Sequence, residues 1–453
     1  MTKRINRRKF IQHSAAAGAG FWVAGGLTPV LSQSPNEKLG IACVGVGGKG
    51  SSDCDQAGGI GNVVAICDID DNPLNQKATK FPEAKKYNDF RKMLEELDKQ
   101  IDAVVVSTPD HTHAVASMMA MKMKKHVYCQ KPLTHSVYEA RQMRETASKL
   151  GLSTQMGNQG TAGTGLRECA EIVQAGGLGN VTEVYVWTNR PIWPQSPGTK
   201  ERPKDTPLCP SHVHWDLFLG PAPERPYHSA YHPFKWRGWW DYGTGALGDM
   251  ACHTCNLPFL ALKLGYPTSI TAECEPVNPE TYPGWARVTF EFPARGNMAP
   301  VKLVWHEGRK DGALVHPPKE VLAKVLKENE KISGSGSIMV GDKGWTYSPD
   351  DYGGTIRYFP EKPKAPEPTL PRNNGGDGGM KKEWAEAIKA KKPQIALSNF
   401  DYAAMLTETI LLGNVAMKVA GTKLLWDGPN LKFTNETAAN KFLHTEYRKG
   451  WTL

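Results

Sequence analysis

The first 34 residues of this 453-residue chain contain no acidic side chain. No stretch anywhere reaches the ~18–20 consecutive apolar residues that a membrane-spanning helix needs. Cysteine is scarce, with nine scattered residues, which excludes a disulfide scaffold. The low-hydrophobicity composition of a disordered chain is also missing, since hydrophobic residues make up 40% and charged residues 22%. Acid is outnumbered, 46 Asp and Glu against 55 Lys and Arg, for a net charge of +9. Taken alone, that surplus suggests nucleic acid or anionic lipid as a partner. Five of the positive charges are Lys3, Arg4, Arg7, Arg8 and Lys9, however, and removing them leaves 50 bases against 46 acids. A surplus of four gives no support for either partner.

What the start of the chain does contain is an address. Arg7-Arg8-Lys9-Phe10-Ile11 precedes Ser14–Leu31, an uncharged stretch rich in Ala, Gly and Val. A basic start followed by a mild apolar run and small residues forms a secretory signal, and the Arg pair before Phe and Ile resembles the twin-arginine type. Residues 1–34 are therefore expected to be a removable leader, with cleavage after Ser32, for a protein exported to the periplasm or beyond it. A basic cytoplasmic tail and an uncleaved anchor are the alternatives. The twin-arginine route carries proteins already folded, cofactor included.

Lys38–Val44 reads as a buried strand, and Gly45-Val46-Gly47-Gly48-Lys49-Gly50 follows it directly. Glycines in that spacing allow a tight turn and let the backbone approach a pyrophosphate, whose charge then sits at a helix N-terminus. A second strand-like run, Asn62–Cys67, ends in Asp68, 18 residues after Gly50. An acid there suits the ribose hydroxyls, and the lack of an Arg directly after it favours NAD over NADP. The βα alternation continues through a helix at Asp89–Leu97, a strand at Asp102–Ser107, a helix at Ala114–Met123 and a strand at His126–Gln130. Ligand crevices form at the C-terminal ends of such strands. Two loops there carry Thr108-Pro109-Asp110-His111-Thr112-His113 and Gln130-Lys131-Pro132.

With these motifs, and with Gly245-Ala246-Leu247-Gly248-Asp249-Met250-Ala251-Cys252-His253 further on, the chain resembles the Gfo/Idh/MocA oxidoreductases over roughly residues 36–430. The resemblance implies an α/β protein. An N-terminal Rossmann dinucleotide-binding domain at 35–157 would precede a second α/β domain at 158–453, with a large open, mostly antiparallel sheet. It further implies helices around 380–420 packing back on the first domain, oligomer contacts through that sheet, and a sugar site on the sheet's other face. By the resemblance, Gly45, Gly47, Gly48, Gly50, Asp68, Thr108, Pro109, His111, Gln130 and Lys131 serve the cofactor. Lys131, Asp249 and His253 would serve catalysis. Where the family usually has Glu, this chain has Gln130, which cannot take a charge. The physical reading agrees. Oxidising a secondary alcohol needs a base, for which His is the usual candidate near neutral pH. Asp249 and His253 are at i and i+4, on one face if helical, and Lys131 would stabilise a developing alkoxide.

Six of the 13 Trp fall between Trp187 and Trp240, among His212, His214, His228, His232, Arg190 and Arg237. For any single Trp, packing a loop over the sheet is the better reading; as a cluster, a carbohydrate cleft is at least as good. Arg190, Trp193, Trp236 and Arg237, with Asn158 and Gln159, are the expected substrate contacts. No carboxylate spacing accompanies the histidines, and Cys252-x-x-Cys255 lacks a second pair, so no metal is expected. Lys310–Lys331 reads as a solvated helix, 361–379 as an excursion or linker, and Lys381–Lys391 and Tyr402–Val419 as helices.

These readings converge on an exported, NAD-dependent oxidoreductase acting on a sugar or glycoside. Outside the cytoplasm there is no NAD pool, so the cofactor is expected to travel bound and to be recycled in place. Two alternatives stay open: a redox-neutral glycoside hydrolase that oxidises, eliminates, adds water and reduces; and a sugar-binding protein without turnover. Expected partners are a carbohydrate and further copies of the chain.

Overall fold

The computed structural model describes residues 38–453 apart from 193, 194, 197, 373 and 374. The expected leader and Trp193 lie outside the described residues.

Six short strands build a parallel sheet. They are β1 (Leu39–Val44), β2 (Gly61–Cys67), β3 (Lys85–Tyr87), β4 (Ala103–Val106), β5 (His126–Cys129) and β6 (Thr154–Met156), in the spatial order β3-β2-β1-β4-β5-β6. Every side chain of β1 and β4 is buried, as a sheet covered on both faces requires. Asp89 caps the helix Phe90–Glu96 by accepting from Arg91 N, the role expected of it. Strand order reverses between β1 and β4, which opens a crevice at their C-terminal ends.

A ten-stranded second sheet follows. Its strands are β7 (Val181–Thr188), β8 (Ser269–Cys274), β9 (Trp285–Phe292), β10 (Val301–Lys310), β11 (Ala313–Leu314), β12 (Ser335–Gly341), β13 (Trp345–Ser348), β14 (Arg357–Phe359), β15 (Leu424–Asp427) and β16 (Lys432–Phe433). Its order is β14-β13-β12-β7-β10-β9-β8-β15-β16, with β11 on β10; only β7 and β10 pair in parallel. One face, through Phe290, Leu303 and Trp305, shares a core with Leu247 and with Leu406 and Ile410 of the helix Phe400–Lys418. The opposite face, with Tyr185, Trp187, Val304, Ile338 and Tyr347, is covered in part by Val321 and Val325.

Those two valines correct one expectation. Lys310–Lys331 is not one solvated helix; it holds the β10–β11 hairpin and a single helical turn, Lys319–Leu322, whose apolar residues cap the sheet. Residues 361–379 are likewise no free linker. Glu171 accepts from the Thr369 and Leu370 amides, Arg167 Nη1 donates to Pro371 O, and helix Gly376–Ala390 begins inside the segment. That helix lies against the first sheet, with Trp384 Nε1 donating to Ser153 O at 3.0 Å and Lys381 Nζ to Asp53 at 2.6 Å. Helix Phe400–Lys418 packs on helix Val137–Leu150 through the buried Arg141–Glu408 pair. Among the described residues, no helix is long and apolar enough to cross a membrane.

Candidate active site

A cavity of about 560 Å³ runs along the crevice. At one end lie Gly45, Gly47 and Gly48. Gly45 has φ +78°, and a Cβ there would sit 2.6 Å from the Ser107 carbonyl oxygen. Gly47 precedes helix Gly48–Gly58 and offers no side-chain cap, so the first helical amides are left for a ligand. Gly50 does not line the cavity. A side chain there would strike the Gly45 carbonyl, so its role is to let the helix close on the turn. Asp68 Oδ2 accepts from the Val46 and Gly47 amides at 2.8 and 3.1 Å. Burial pushes its carboxyl up to about 6 against those hydrogen bonds, leaving it mostly ionised at neutral pH. Asp68 and Asp70 put two acids where an adenosine ribose would lie. This cradle fits a pyrophosphate and a free 2′-hydroxyl, and it disfavours a 2′-phosphate.

The segment from Pro210 to Phe234 folds over this end. Asp70 and Val213 form an isolated antiparallel bridge, Asp71 N donates to His212 O, and His214 N donates to Ile69 O. His212 Nδ1 lies 2.9 Å from Asp70 Oδ1. Leu217, Phe218, His232, Pro233 and Phe234 complete the wall.

At the other end, helix Gly245–Thr254 places Asp249 and His253 on the cavity, with Lys131 facing them from the loop after β5. Lys131 Nζ is 2.5 Å from Asp249 Oδ1 and 2.9 Å from the Asp249 carbonyl. Gln195 Nε2 donates to Asp249 Oδ2 at 2.8 Å. Burial opposes ionisation of Asp249, but Lys131, Arg237 and Gln195 hold its carboxyl far below the usual range. Burial and the Lys131 charge drive His253 down to about 3, so its imidazole is neutral and a weak proton acceptor. His253 Nδ1 is buried with no hydrogen-bond partner among the described residues, and the ring packs edge-on against Tyr352 at 5.1 Å.

Thr108, Pro109, Gln130, Gln159, Arg190, Trp236 and Arg237 also line the cavity. Besides Gly50, two expected contacts do not. His111 is 2% exposed, and its ring nitrogens lie 2.8 Å from the Phe218 carbonyl and 3.3 Å from that of Tyr242. It ties the first sheet to the 210–242 region rather than touching a cofactor. Asn158 is fully buried, with Oδ1 accepting from Ser398 Oγ at 2.6 Å. Most of the Trp cluster is packing. Trp187 and Trp239 are fully buried, Trp215 stacks on Phe218 at 4.7 Å, and of the described members of the cluster only Trp236 faces the cavity.

The departure at position 130 has a structural reason. Gln130 Nε2 donates to Asp53 Oδ2 at 2.8 Å. Asp53, fully buried beneath the glycine turn, also receives Lys49 and Lys381 Nζ, each at 2.6 Å, and Ser107 Oγ at 3.0 Å. Burial raises the Asp53 carboxyl, but the two ammonium groups outweigh it and hold it below its ordinary value. With that carboxylate in place, position 130 needs a donor. Neither this network nor the Gln195 contact has a local signature in sequence. Asp110, a cavity-lining acid standing in the Thr108-Pro109 loop, was in plain view but carried no role.

Comparison with known proteins adds the family. Residues 39–158 match the model of an oxidoreductase family with an NAD-binding Rossmann fold, and residues 162–327 the model of the same family's C-terminal alpha/beta domain. D-glucoside 3-dehydrogenase of Escherichia coli K12 is 32% identical over 130 residues, 29% of this chain and 36% of its own. A glycosyl hydrolase family 109 protein of Saccharopolyspora erythraea is 30% identical over 172 residues, 32% of this chain and 37% of its own. The chain thus spans well under half the length of the curated relatives it matches. An inositol dehydrogenase homolog from Azotobacter vinelandii, solved with NADH and myo-inositol, superposes with a TM-score of 0.60 at 14% identity, covering 86% of this chain and 98% of that one, a likeness of fold. The first model covers the first sheet and the second covers β7–β11 of the second sheet, together more than half of the chain, and on that ground the chain belongs to the Gfo/Idh/MocA oxidoreductase family.

Proposed function

We propose that this chain is an NAD-dependent oxidoreductase that acts on a secondary hydroxyl of a sugar or glycoside and keeps its cofactor bound between turnovers. The observation that carries the reading is the Lys131–Asp249 pair, 2.5 Å apart beside His253, in the same cavity that begins at the glycine cradle. When bound, NAD supplies the acceptor for the hydrogen leaving carbon with its electron pair. The chain's own groups do the rest. Lys131 aims an ammonium at the oxygen where negative charge develops. Asp249 fixes that ammonium through its carboxylate and its carbonyl, and Gln195 fixes Asp249. His253, neutral, is a hydrogen-bonding group for a substrate hydroxyl. Gln159, Arg190, Trp236 and Arg237 line the sugar end. The fold of 210–234 over Asp70 supports a retained cofactor. Retention in turn fits an exported protein, delivered folded by the twin-arginine route and assembled with further copies of itself through the second sheet.

A second reading, redox-neutral glycoside cleavage in the same site, is favoured by the glycosyl hydrolase relative and by Tyr352, a further titratable side chain on the cavity. Nitrophenyl glycosides in deuterated water separate the two. Aglycone released with deuterium at C2 supports elimination, and net oxidation without aglycone release supports the first.

The test of the main reading uses the mature chain. NAD released on denaturation should approach one per chain, and a panel of pyranoses, methyl glycosides and inositols should reduce it in place. Lys131→Met should lower that rate by ~10²–10³-fold while leaving NAD bound, and should lower the melting temperature because Asp249 loses its ammonium partner. A chain that neither carries nor binds NAD refutes the reading.

A further inference from the structure

The first turn of helix Asp110–Lys122 buries two histidines, His111 and His113, and the fold holds them differently. His113 is 1% exposed, and both of its ring nitrogens meet a backbone carbonyl. Nδ1 lies 2.7 Å from Pro132 O and Nε2 lies 2.8 Å from Thr108 O. A carbonyl oxygen only accepts, so each nitrogen must carry a hydrogen. A neutral imidazole has one N–H. It would set a lone pair against the second oxygen and leave that oxygen buried without a donor. An imidazolium has two N–H groups and satisfies both. His111 gives the contrast. Its Nε2 is 2.8 Å from Phe218 O, but its Nδ1 is 3.3 Å from Tyr242 O, which already accepts from the His111 amide, so one ring proton suffices. The two carbonyls on His113 belong to the walls of the site. Thr108 lines the cavity in the loop after β4, and Pro132 follows the cavity-lining Lys131 in the loop after β5, the neighbouring parallel strand.

We propose that His113 is held as an imidazolium and is a positioning residue of the reaction, pinning the Lys131 loop to the Thr108 loop. Its effect on rate rests on the oxidoreductase reading above, whereas its charge rests on the two carbonyls. Burial opposes a charge there, but Cys129 on β5 and the two carbonyls outweigh it and raise the ring above its ordinary value. The charge in turn works against protonation of His111 beside it. His113 does not line the cavity and touches nothing that reacts. It acts through the backbone that carries Lys131, whose ammonium sits 2.5 Å from Asp249. Misplacing that ammonium by ~1 Å would cost ~10²-fold in rate.

Two measurements test this. A neutron crystal structure of the deuterated mature chain at ~pH 8, above the ordinary histidine value of ~6.5, reads the charge without any substitution. Deuterons on both Nδ1 and Nε2 of His113 are expected, and a single deuteron overturns the imidazolium. The positioning role is read from reduction of bound NAD in single turnovers, with myo-inositol, methyl glucoside and nitrophenyl glucoside as probes. His113→Gln offers one amide nitrogen and reaches only one of the two carbonyls. It should keep its NAD, lose ~10²-fold in rate at saturating substrate, and leave the half-saturating concentration nearly unchanged. A loss of structure alone would lower the fraction of chains that react, not the rate of those that do. His113→Asn serves in the same way if His113→Gln does not fold. A variant whose reacting chains match the wild-type rate overturns the positioning role. A wild type silent with every probe overturns the oxidoreductase reading and the positioning role together, while the neutron structure still decides the charge.

Discussion

Replacing Gln130 by Glu restores the residue common in the family, and in this chain it should be destabilising. The side-chain amide nitrogen lies 2.8 Å from Asp53 Oδ2. Two carboxylates at that separation repel by ~6 kcal/mol at an effective dielectric constant of ~20. The new acid can escape by staying protonated. Holding a Glu neutral at ~pH 7 against an ordinary pKa of ~4.3 costs ~4 kcal/mol, which caps the penalty. Lys49 and Lys381, each 2.6 Å from Asp53 Oδ1, offset part of it, so ~2–4 kcal/mol is expected. The sign of the pH dependence follows. The folded pKa of the introduced carboxyl is raised above its unfolded value, so the variant matches wild type below ~pH 4.3 and falls behind as pH rises towards that folded pKa. Urea unfolding of the mature chain near neutral and mildly acidic pH reads this directly. Adding Asp53→Asn should recover most of the loss, because an amide then donates to the new carboxylate. A Gln130→Glu variant as stable as wild type at neutral pH, or equally impaired at both pH values, would refute the reasoning.

Loosening the 210–234 segment should free the cofactor: His212→Ala removes one part-exposed hydrogen bond, ~1 kcal/mol, so bound NAD should exchange with labelled NAD about five-fold faster, and an unchanged exchange rate would count against a retaining role. Replacing Arg7 and Arg8 together by Lys should stop export of the folded chain, read as loss of the protein from a periplasmic fraction; normal export of the double variant would remove the twin-arginine reading.

Much of the first sheet could be read from residues alone. Its central strands β1 and β4 are buried apolar runs, some of its helices carry local caps such as Asp89, and the glycine turn is written in consecutive positions. Asp249 and His253 came from the family resemblance, and their i, i+4 spacing inside one helix agrees with it. Failures came where a partner distant in sequence decided the outcome. His111 stood in the right loop, but carbonyls more than a hundred residues away took its ring nitrogens. The charges of 310–331 suggested solvent, while two valines within it had a sheet face to cover.

The sequence by itself determined the parallel first sheet and the glycine cradle with its acid at β2, because these depend on short-range periodicity and turn chemistry. Only the tertiary structure decided which ionisable group does what. Asp53 meets Lys381 across 328 positions, Lys131 meets Asp249 across 118, and Asp110 meets Thr244 across 134. Charge state in a buried site depends on desolvation and on the nearest charges in space, neither of which is visible until the chain has closed on itself.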